Sequence, residues 1–219
     1  MTTTRNTRGN VFALLPETDP AALQRLHSRL AAAAAKARIL DVAYRTIDTP
    51  LGSLLLAATA KGLVRVAYAC EGHDTVLDEL ARSVSPRVLR APARLDRAAE
   101  EIEEYFARRR SRFDLALDFR LARGFRRDVL SRLRRIGYGK TLSYAAVAAA
   151  VGSPRAVRAV GTACATNPLP VLVPCHRVVK SDGTIGQYVG GVDAKRTLLA
   201  LEAAGAADAD SGYKGPKST

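Results

Sequence analysis

The chain contains no tryptophan, one methionine and three histidines, and aromatic residues make up only 5% of its 219 positions. Its three cysteines, Cys70, Cys164 and Cys175, are widely separated and form no C-x-x-C pair. An odd, scattered set argues against a disulfide framework and against a cysteine zinc cluster. No run approaches the roughly 18–20 apolar residues that a membrane-spanning helix needs. The opening MTTTRNTRGN lacks the apolar stretch of a secretory signal, and the expectation is a cytoplasmic protein that does not engage a membrane. Negative charge is also short, at 21 Asp plus Glu against 34 Lys plus Arg. What is present, 47% hydrophobic and 25% charged residues, excludes global disorder and suffices for one large domain or two small ones. The net charge of +13 points to a polyanion, and 27 of the 34 cations are arginines, whose planar fork suits phosphate. Biased codon usage would produce the same Ala- and Arg-rich composition, so charge alone does not decide the matter.

Residues 1–40 read as an N-terminal extension holding one helix. Thr18-Asp19-Pro20 makes a helix entry, and Leu23, Leu26 and Leu30 recur at helical spacing. Residues 41–122 read as a small α/β domain. Val42–Ile47, Ser53–Ala58 and Leu63–Tyr68 are short strands joined by Gly turns, an antiparallel meander. Helices are expected over Thr75–Ser83 and Leu95–Arg109, with a Pro- and Arg-bearing loop between them. Residues 123–204 are mostly helical: Phe125, Val129, Leu133 and Ile136 share one face, and Gly137-Tyr138-Gly139 ends that helix. Ser143 can cap Tyr144–Val151, and Ser153-Pro154 opens Arg155–Ala165, a pair that suits a helix-turn-helix. Val178–Ile185, two β segments around Asp182-Gly183, would add a hairpin wing. A last helix over Asp193–Ala204 ends at Gly205, and 205–219 reads as a disordered tail. The fold class is therefore α+β, a small antiparallel-sheet domain followed by a helical domain with a winged helix-turn-helix.

The stretch from Asn167 to Val178 carries the chemistry. Pro168, Pro170 and Pro174 hold the chain in a stiff path just before Cys175-His176-Arg177. A thiol attacks as thiolate, and an adjacent imidazole can take its proton, directly or through water, while nearby Arg charge would favour the anion. Glu202 could hold the other imidazole nitrogen, completing a Cys–His–Glu relay. Cys70 and Cys164 have no flanking base and read as structural.

Pro174-Cys175-His176-Arg177-Val178, preceded by Asn167-Pro168 and followed by Gly186-Gln187-Tyr188 and Glu202, closely resembles the O6-alkylguanine-DNA alkyltransferases, also called methylated-DNA–protein-cysteine methyltransferases. The spacing matches without a gap from Phe125 to Glu202, through Leu142-Ser143-Tyr144 and Arg155–Gly161. Tyr44–Gly52 is similar to the family's first hairpin, so the likeness covers about residues 42–202. The resemblance implies a ribonuclease H-like first domain and direct-reversal repair, in which Cys175 takes the alkyl group irreversibly, once per molecule, with no metal or organic cofactor at the active site. It implies that His176 deprotonates Cys175 through water and that Glu202 orients and charge-stabilises His176. Tyr144 would donate to guanine N3, and Asn167 would tie the recognition helix to the active-site turn. Arg158 would fill the gap left by the extruded nucleotide, with Arg155 and Ala159 beside it against DNA. Val178, Tyr188, Val189 and Gly190 would line the substrate pocket. The implied partner is double-stranded DNA containing O6-alkylguanine, met in the minor groove with little sequence preference by a protein that is monomeric when free. Residues 1–40 hold no cysteine, so the cysteine-zinc module of some bacterial relatives is not expected. Cys70 and His73 alone are too few for a structural zinc.

Three alternatives are distinguishable. An alkyltransferase-like binder would flip the base without transfer, but such relatives lack the acceptor that Cys175 supplies. A thiol hydrolase with a basic surface would leave the Arg-bearing helix pair without purpose. A winged-helix transcription factor would leave the Pro-Cys-His-Arg segment unexplained. The charge is unevenly placed: residues 108–135 hold eleven arginines against three aspartates, whereas 136–202 hold seven cations against three anions. Part of that flanking cluster is expected to meet phosphate, and part to be solvated or salt-bridged.

Overall fold

Alternating apolar residues and glycine turns build the first half of the chain. In the computed structural model, which describes residues 19–211, β1 (Val42–Thr49), β2 (Gly52–Thr59) and β3 (Gly62–Tyr68) form an antiparallel meander. Gly62, at φ +131°, is required for close approach: a Cβ there would sit 2.2 Å from the Ala116 carbonyl oxygen. The segment around Leu117 can thus run beside β3, through Leu63 N–H to Ala116 O (2.9 Å) and Asp118 N–H to Leu63 O (2.7 Å). A fourth strand, β4 (Val88–Arg90), joins β1 in parallel, so the sheet order is β3-β2-β1-β4 and the sheet is mixed. Sequence reading assigns this stretch to a loop. Three half-buried residues next to Pro and Arg carry too little alternation to register as a strand, and its partner is remote in the chain.

The two sheet faces are covered differently. Helix α2 (His73–Ser83) sets Val76 and Leu80 on Val42, Leu55, Ala57 and Val64. On the other face Leu54, Leu56, Val66 and Tyr68 meet Ile102 and Tyr105 of α3 (Asp96–Phe106), and this core continues without a break into the helical half. The junction is tight: Val66 N–H donates to Pro168 O at 2.8 Å, linking β3 to the turn that precedes Cys175.

Helix α1 (Pro20–Lys36) begins where Asp19 caps it, its carboxylate accepting from Ala21 N–H at 2.9 Å. Its leucine face is not the docking face. Leu23, Leu26 and Leu30 are 48%, 59% and 55% exposed, while Ala31 and Ala34 meet the core. The rest of the extension, residues 1–18, lies outside the described residues.

In the second half, α4 (Gly124–Leu133) buries Val129, Leu130 and Leu133. After β5 (Leu142–Ser143), α5 (Tyr144–Ala150) starts under the Ser143 hydroxyl, which accepts from Ala146 N–H at 3.0 Å. A turn at Gly152 leads to α6 (Val157–Ala165), which begins two residues later than its sequence suggests and leaves Arg155 in the turn. The wing differs from the expected hairpin. β6 (Val178–Val179) pairs in parallel with β5, and the chain after it closes as a turn, with Lys180 N–H to Thr184 O at 3.0 Å and no returning strand. β6 pairs with β5 alone, and Gly186 passes against the Tyr144 ring.

The last helix, α7, runs over Gly191–Ser211 and does not stop at Gly205, so a tail beginning at 205 is corrected. Gly205 is in the helix for packing reasons: a Cβ there would fall 2.6 Å from the Tyr138 hydroxyl. Residues 212–219 lie outside the described residues. Among the described residues no helix is long and apolar enough to cross a membrane.

Candidate active site

The path into Cys175 is stiff and strained. Val171, a β-branched residue, is held at φ +71° while 1% exposed, a conformation that costs about 1–3 kcal/mol and persists only where the surroundings enforce it. Asn167, at the end of α6, supplies much of that enforcement. Its carboxamide oxygen accepts from Leu169 N–H at 3.0 Å, and its Nδ2 donates to Val173 O at 2.8 Å and to Cys175 Sγ at 3.1 Å. The helix that presents Arg158 to solvent is therefore bonded to the thiol through one side chain.

Cys175, His176 and Arg177 form a single 3-10 turn and are all buried. His176 Nε2 lies 2.8 Å from Glu202 Oε1 on α7. Glu202, 1% exposed, also accepts from the Arg177 guanidinium at 2.8–3.1 Å, from the Tyr105 hydroxyl at 2.7 Å and from Gly139 N–H at 3.1 Å. Burial opposes its ionisation, but the bonds from His176 and Arg177 prevail and hold its pKa at about 2. Burial likewise lowers the pKa of His176 below the usual 6.5, against the pull of Glu202, so the ring is neutral at physiological pH. With Nε2–H donating to the carboxylate, Nδ1 carries the lone pair, and that atom is buried with no protein partner. It is the free basic position of the cluster.

The Cys175 thiol is pushed up to about 11 by complete burial, with the Asn167 hydrogen bond and the Lys195 charge offsetting part of the rise. It therefore rests as a thiol. The expectation that arginine charge favours the thiolate is corrected here: Arg177 is committed to Glu202 and to the Ile136 carbonyl, and the cation acting on sulfur is Lys195. Lys195 is fully buried on α7, donates to Val178 O and lies 5.7 Å from the Tyr144 ring centroid. Sequence reasoning overlooks it, although Lys195, Leu198 and Glu202 form an i, i+3, i+7 stripe that marks the buried face. Tyr105 is also missed. It comes from the other half of the chain, and no local pattern links it to Glu202.

The remaining candidate residues fall into two groups. Tyr144, at the start of α5, packs on Gly186 with its pKa raised to about 12 by burial, and so keeps its proton. Val178 and Tyr188 are buried, with Tyr188 edge-on to His176 at 6.3 Å between ring centroids, and Val189 and Gly190 are partly buried beside them. This wall is backed by Tyr68 of β3, whose hydroxyl is 3.0 Å from that of Tyr188 and whose ring would lie 2.7 Å from a Cβ on Gly190. Arg155, Arg158 and Ala159 are exposed, and neither arginine side chain has a hydrogen-bond or ion-pair partner among the described residues. They sit apart from the buried cluster on the outward face of the helix pair. Among the described residues no group of three or more His, Cys, Asp or Glu side chains could hold a metal ion.

A buried thiol bonded to Asn167 and next in the chain to a neutral imidazole–carboxylate pair, with a helix pair that offers unpaired arginines, defines a cysteine-dependent group-transfer protein joined to a nucleic-acid-binding fold. Residues 42–119 match the 6-O-methylguanine DNA methyltransferase ribonuclease-like domain, and residues 124–204 match the DNA binding domain of the same family. The chain belongs to the 6-O-methylguanine DNA methyltransferase family. It is 38% identical over 161 residues to the methylated-DNA–protein-cysteine methyltransferase of Mycolicibacterium paratuberculosis, covering 74% of this chain and 92% of that one. It is 39% identical over 160 residues to the constitutive enzyme of that name from Bacillus subtilis, covering 73% and 94%. Among solved structures, the Mycobacterium tuberculosis O6-methylguanine methyltransferase superposes with a TM-score of 0.65 at 34% identity, over 81% of this chain and 96% of that one. The same organism's protein in complex with DNA superposes with a TM-score of 0.63 at 36% identity, over 74% and 94%.

Proposed function

We propose that this protein repairs DNA by direct reversal, taking the alkyl group of O6-alkylguanine onto Cys175. The observation that carries the reading is the buried Cys175–His176–Glu202 cluster bonded through Asn167 to α6. His176 Nδ1 accepts the thiol proton, directly or through water, and the sulfur attacks the alkyl carbon. The new S–C bond forms as the C–O6 bond breaks. The released electron pair goes to the guanine, which leaves neutral once it has gained a proton, its charge build-up eased by the Tyr144 hydroxyl at N3. Glu202, ionised at all working pH values, stabilises the imidazolium that forms in between.

The target atom lies inside a stacked duplex, and extruding the nucleotide costs a few kcal/mol. Arg158 occupies the vacated stack and offsets part of that cost, while Arg155 and Ala159 meet the neighbouring backbone. The small residues of α6 suit close approach in a minor groove and give little sequence preference with strong salt dependence. Val178, Tyr188, Val189 and Gly190 receive the extruded base. A thioether has no route back to thiol here, so each molecule acts once.

Intact mass after incubation with an O6-methylguanine duplex tests the reading. One added methyl group is expected, confined to the peptide containing Cys175, and Cys175→Ser is expected to bind DNA without gaining mass. Multiple turnover, or methylation of another residue, would refute it.

A further inference from the structure

The arginine-rich stretch from 108 to 135 divides by partner. Arg110 pairs with Glu101 and Glu104, Arg120 pairs with Asp118, and Arg126 reaches the Thr166 hydroxyl at the end of α6. Arg109, Arg112, Arg123, Arg127, Arg134 and Arg135 have no such side-chain partner among the described residues, and of these Arg112, Arg134 and Arg135 share one cleft. These three are exposed and edge the cleft, of about 520 Å³, together with Ser111. No aspartate or glutamate lines this cleft, and its apolar floor includes Leu172 and Pro174, the back of the turn that carries Cys175.

Three unneutralised guanidinium groups around a concave surface would repel one another in the absence of a counter-charge, and their forks match phosphate oxygens. The cleft is also set apart from the helix-turn-helix. None of its lining residues belongs to α5 or α6. Arg126 meets α6 near the start of α4, whereas Arg134 and Arg135 follow its end, about 12–14 Å further along the helix axis at 1.5 Å per residue.

We propose that this arginine-edged cleft is a second phosphate site, holding the backbone of a further DNA segment while α5 and α6 engage the damaged one. The choice of DNA as the phosphate source rests on the repair reading, whereas the phosphate chemistry rests on the cleft itself. Two-segment binding would let the protein pass from one duplex to another without full release, which suits a reagent that must search long stretches of intact DNA before its single reaction.

The test is a two-duplex capture with the full chain. Protein is bound to an undamaged duplex on beads, washed, and offered a second, fluorescent duplex. Wild type is expected to capture it, and raising salt from 50 to 200 mM is expected to weaken capture about fortyfold for three phosphate contacts. Arg112→Ser/Arg134→Ser/Arg135→Ser is expected to drop to background while methylating Cys175 from a short O6-methylguanine duplex at the wild-type rate. Arg135→Ser alone is expected to lower the salt exponent by about 0.9. Arg29→Ser/Lys61→Ser/Arg82→Ser, which removes the same charge elsewhere, is expected to retain capture. Absence of capture by wild type, retention by the cleft variant, or equal loss in the charge-matched variant overturns the proposal. So does tripolyphosphate that binds the cleft with no effect on DNA capture, since the ligand would then be a free polyphosphate. Failure of wild type to methylate Cys175 would strike the repair reading instead, and the two failures are read separately.

Discussion

Replacing His176 with alanine separates two ways of activating the thiol. With the Cys175 pKa at about 11, the thiolate fraction at pH 7 is about 10⁻⁴, equivalent to about 5 kcal/mol of barrier. If that small free-thiolate population did the chemistry, the transfer rate would rise tenfold per pH unit up to pH 11. Through the relay, the reacting state is neutral thiol plus neutral imidazole. The proton only moves between them, so the wild-type rate should be flat from about pH 7 to pH 9.5. It should fall only where His176 protonates, below its ordinary 6.5 because burial lowers it. His176→Ala removes the base and should lower the rate at pH 7 by about 10²–10⁴, the usual contribution of general-base catalysis. The variant should also acquire a slope of one against pH. Single-turnover methyl transfer, with protein saturating over an O6-methylguanine duplex and followed by quench and mass analysis, reads this directly. A wild-type rate that already climbs tenfold per pH unit would refute the relay, whatever the variant does.

Two further outcomes concern stability. His176 and Glu202 both bind protons less readily when folded than when unfolded, so both favour the folded state at neutral pH. That contribution should fade on acidification, from His176 below pH 6.5 and from Glu202 between pH 4.5 and about 2, where about 3 kcal/mol is at stake. Urea midpoints measured from pH 7 to pH 3 should fall, and a midpoint independent of pH would contradict the burial of both groups. Gly205→Ala tests packing against propensity: helix preference alone favours alanine by about 1 kcal/mol. The Tyr138 hydroxyl 2.6 Å from the new methyl should reverse the sign and cost about 1–3 kcal/mol, read as a lower Tm.

The helix-turn-helix, the three-stranded meander and the Pro-Cys-His-Arg turn are legible because each is specified over a few consecutive residues. Ser143 caps α5, Gly62 permits a crowded turn, and three prolines constrain the approach to Cys175. Strand β4 escapes notice because its three residues owe their conformation to β1, some forty residues earlier. The continuation of α7 through Gly205 escapes because glycine commonly ends helices, and only Tyr138 pressing on that position explains it. The same limit hides Tyr105 and Tyr68, which serve the site from the other half of the chain.

By itself the sequence determined which residues could do the chemistry: one cysteine beside a histidine, a glutamate at a set spacing, and a family resemblance carried by several motifs in order. Tertiary structure alone decided how those groups are charged and where the excess arginine points. Burial sets the Cys175 thiol high and the His176 ring neutral, because desolvation disfavours whichever form is charged. Folding also assigns Arg177 to Glu202, Lys195 to the sulfur's surroundings, and Arg112, Arg134 and Arg135 to a cleft behind the active-site turn. Charge is a property of composition, but its neutralisation depends on distance, and distance between remote residues exists only once the chain has folded.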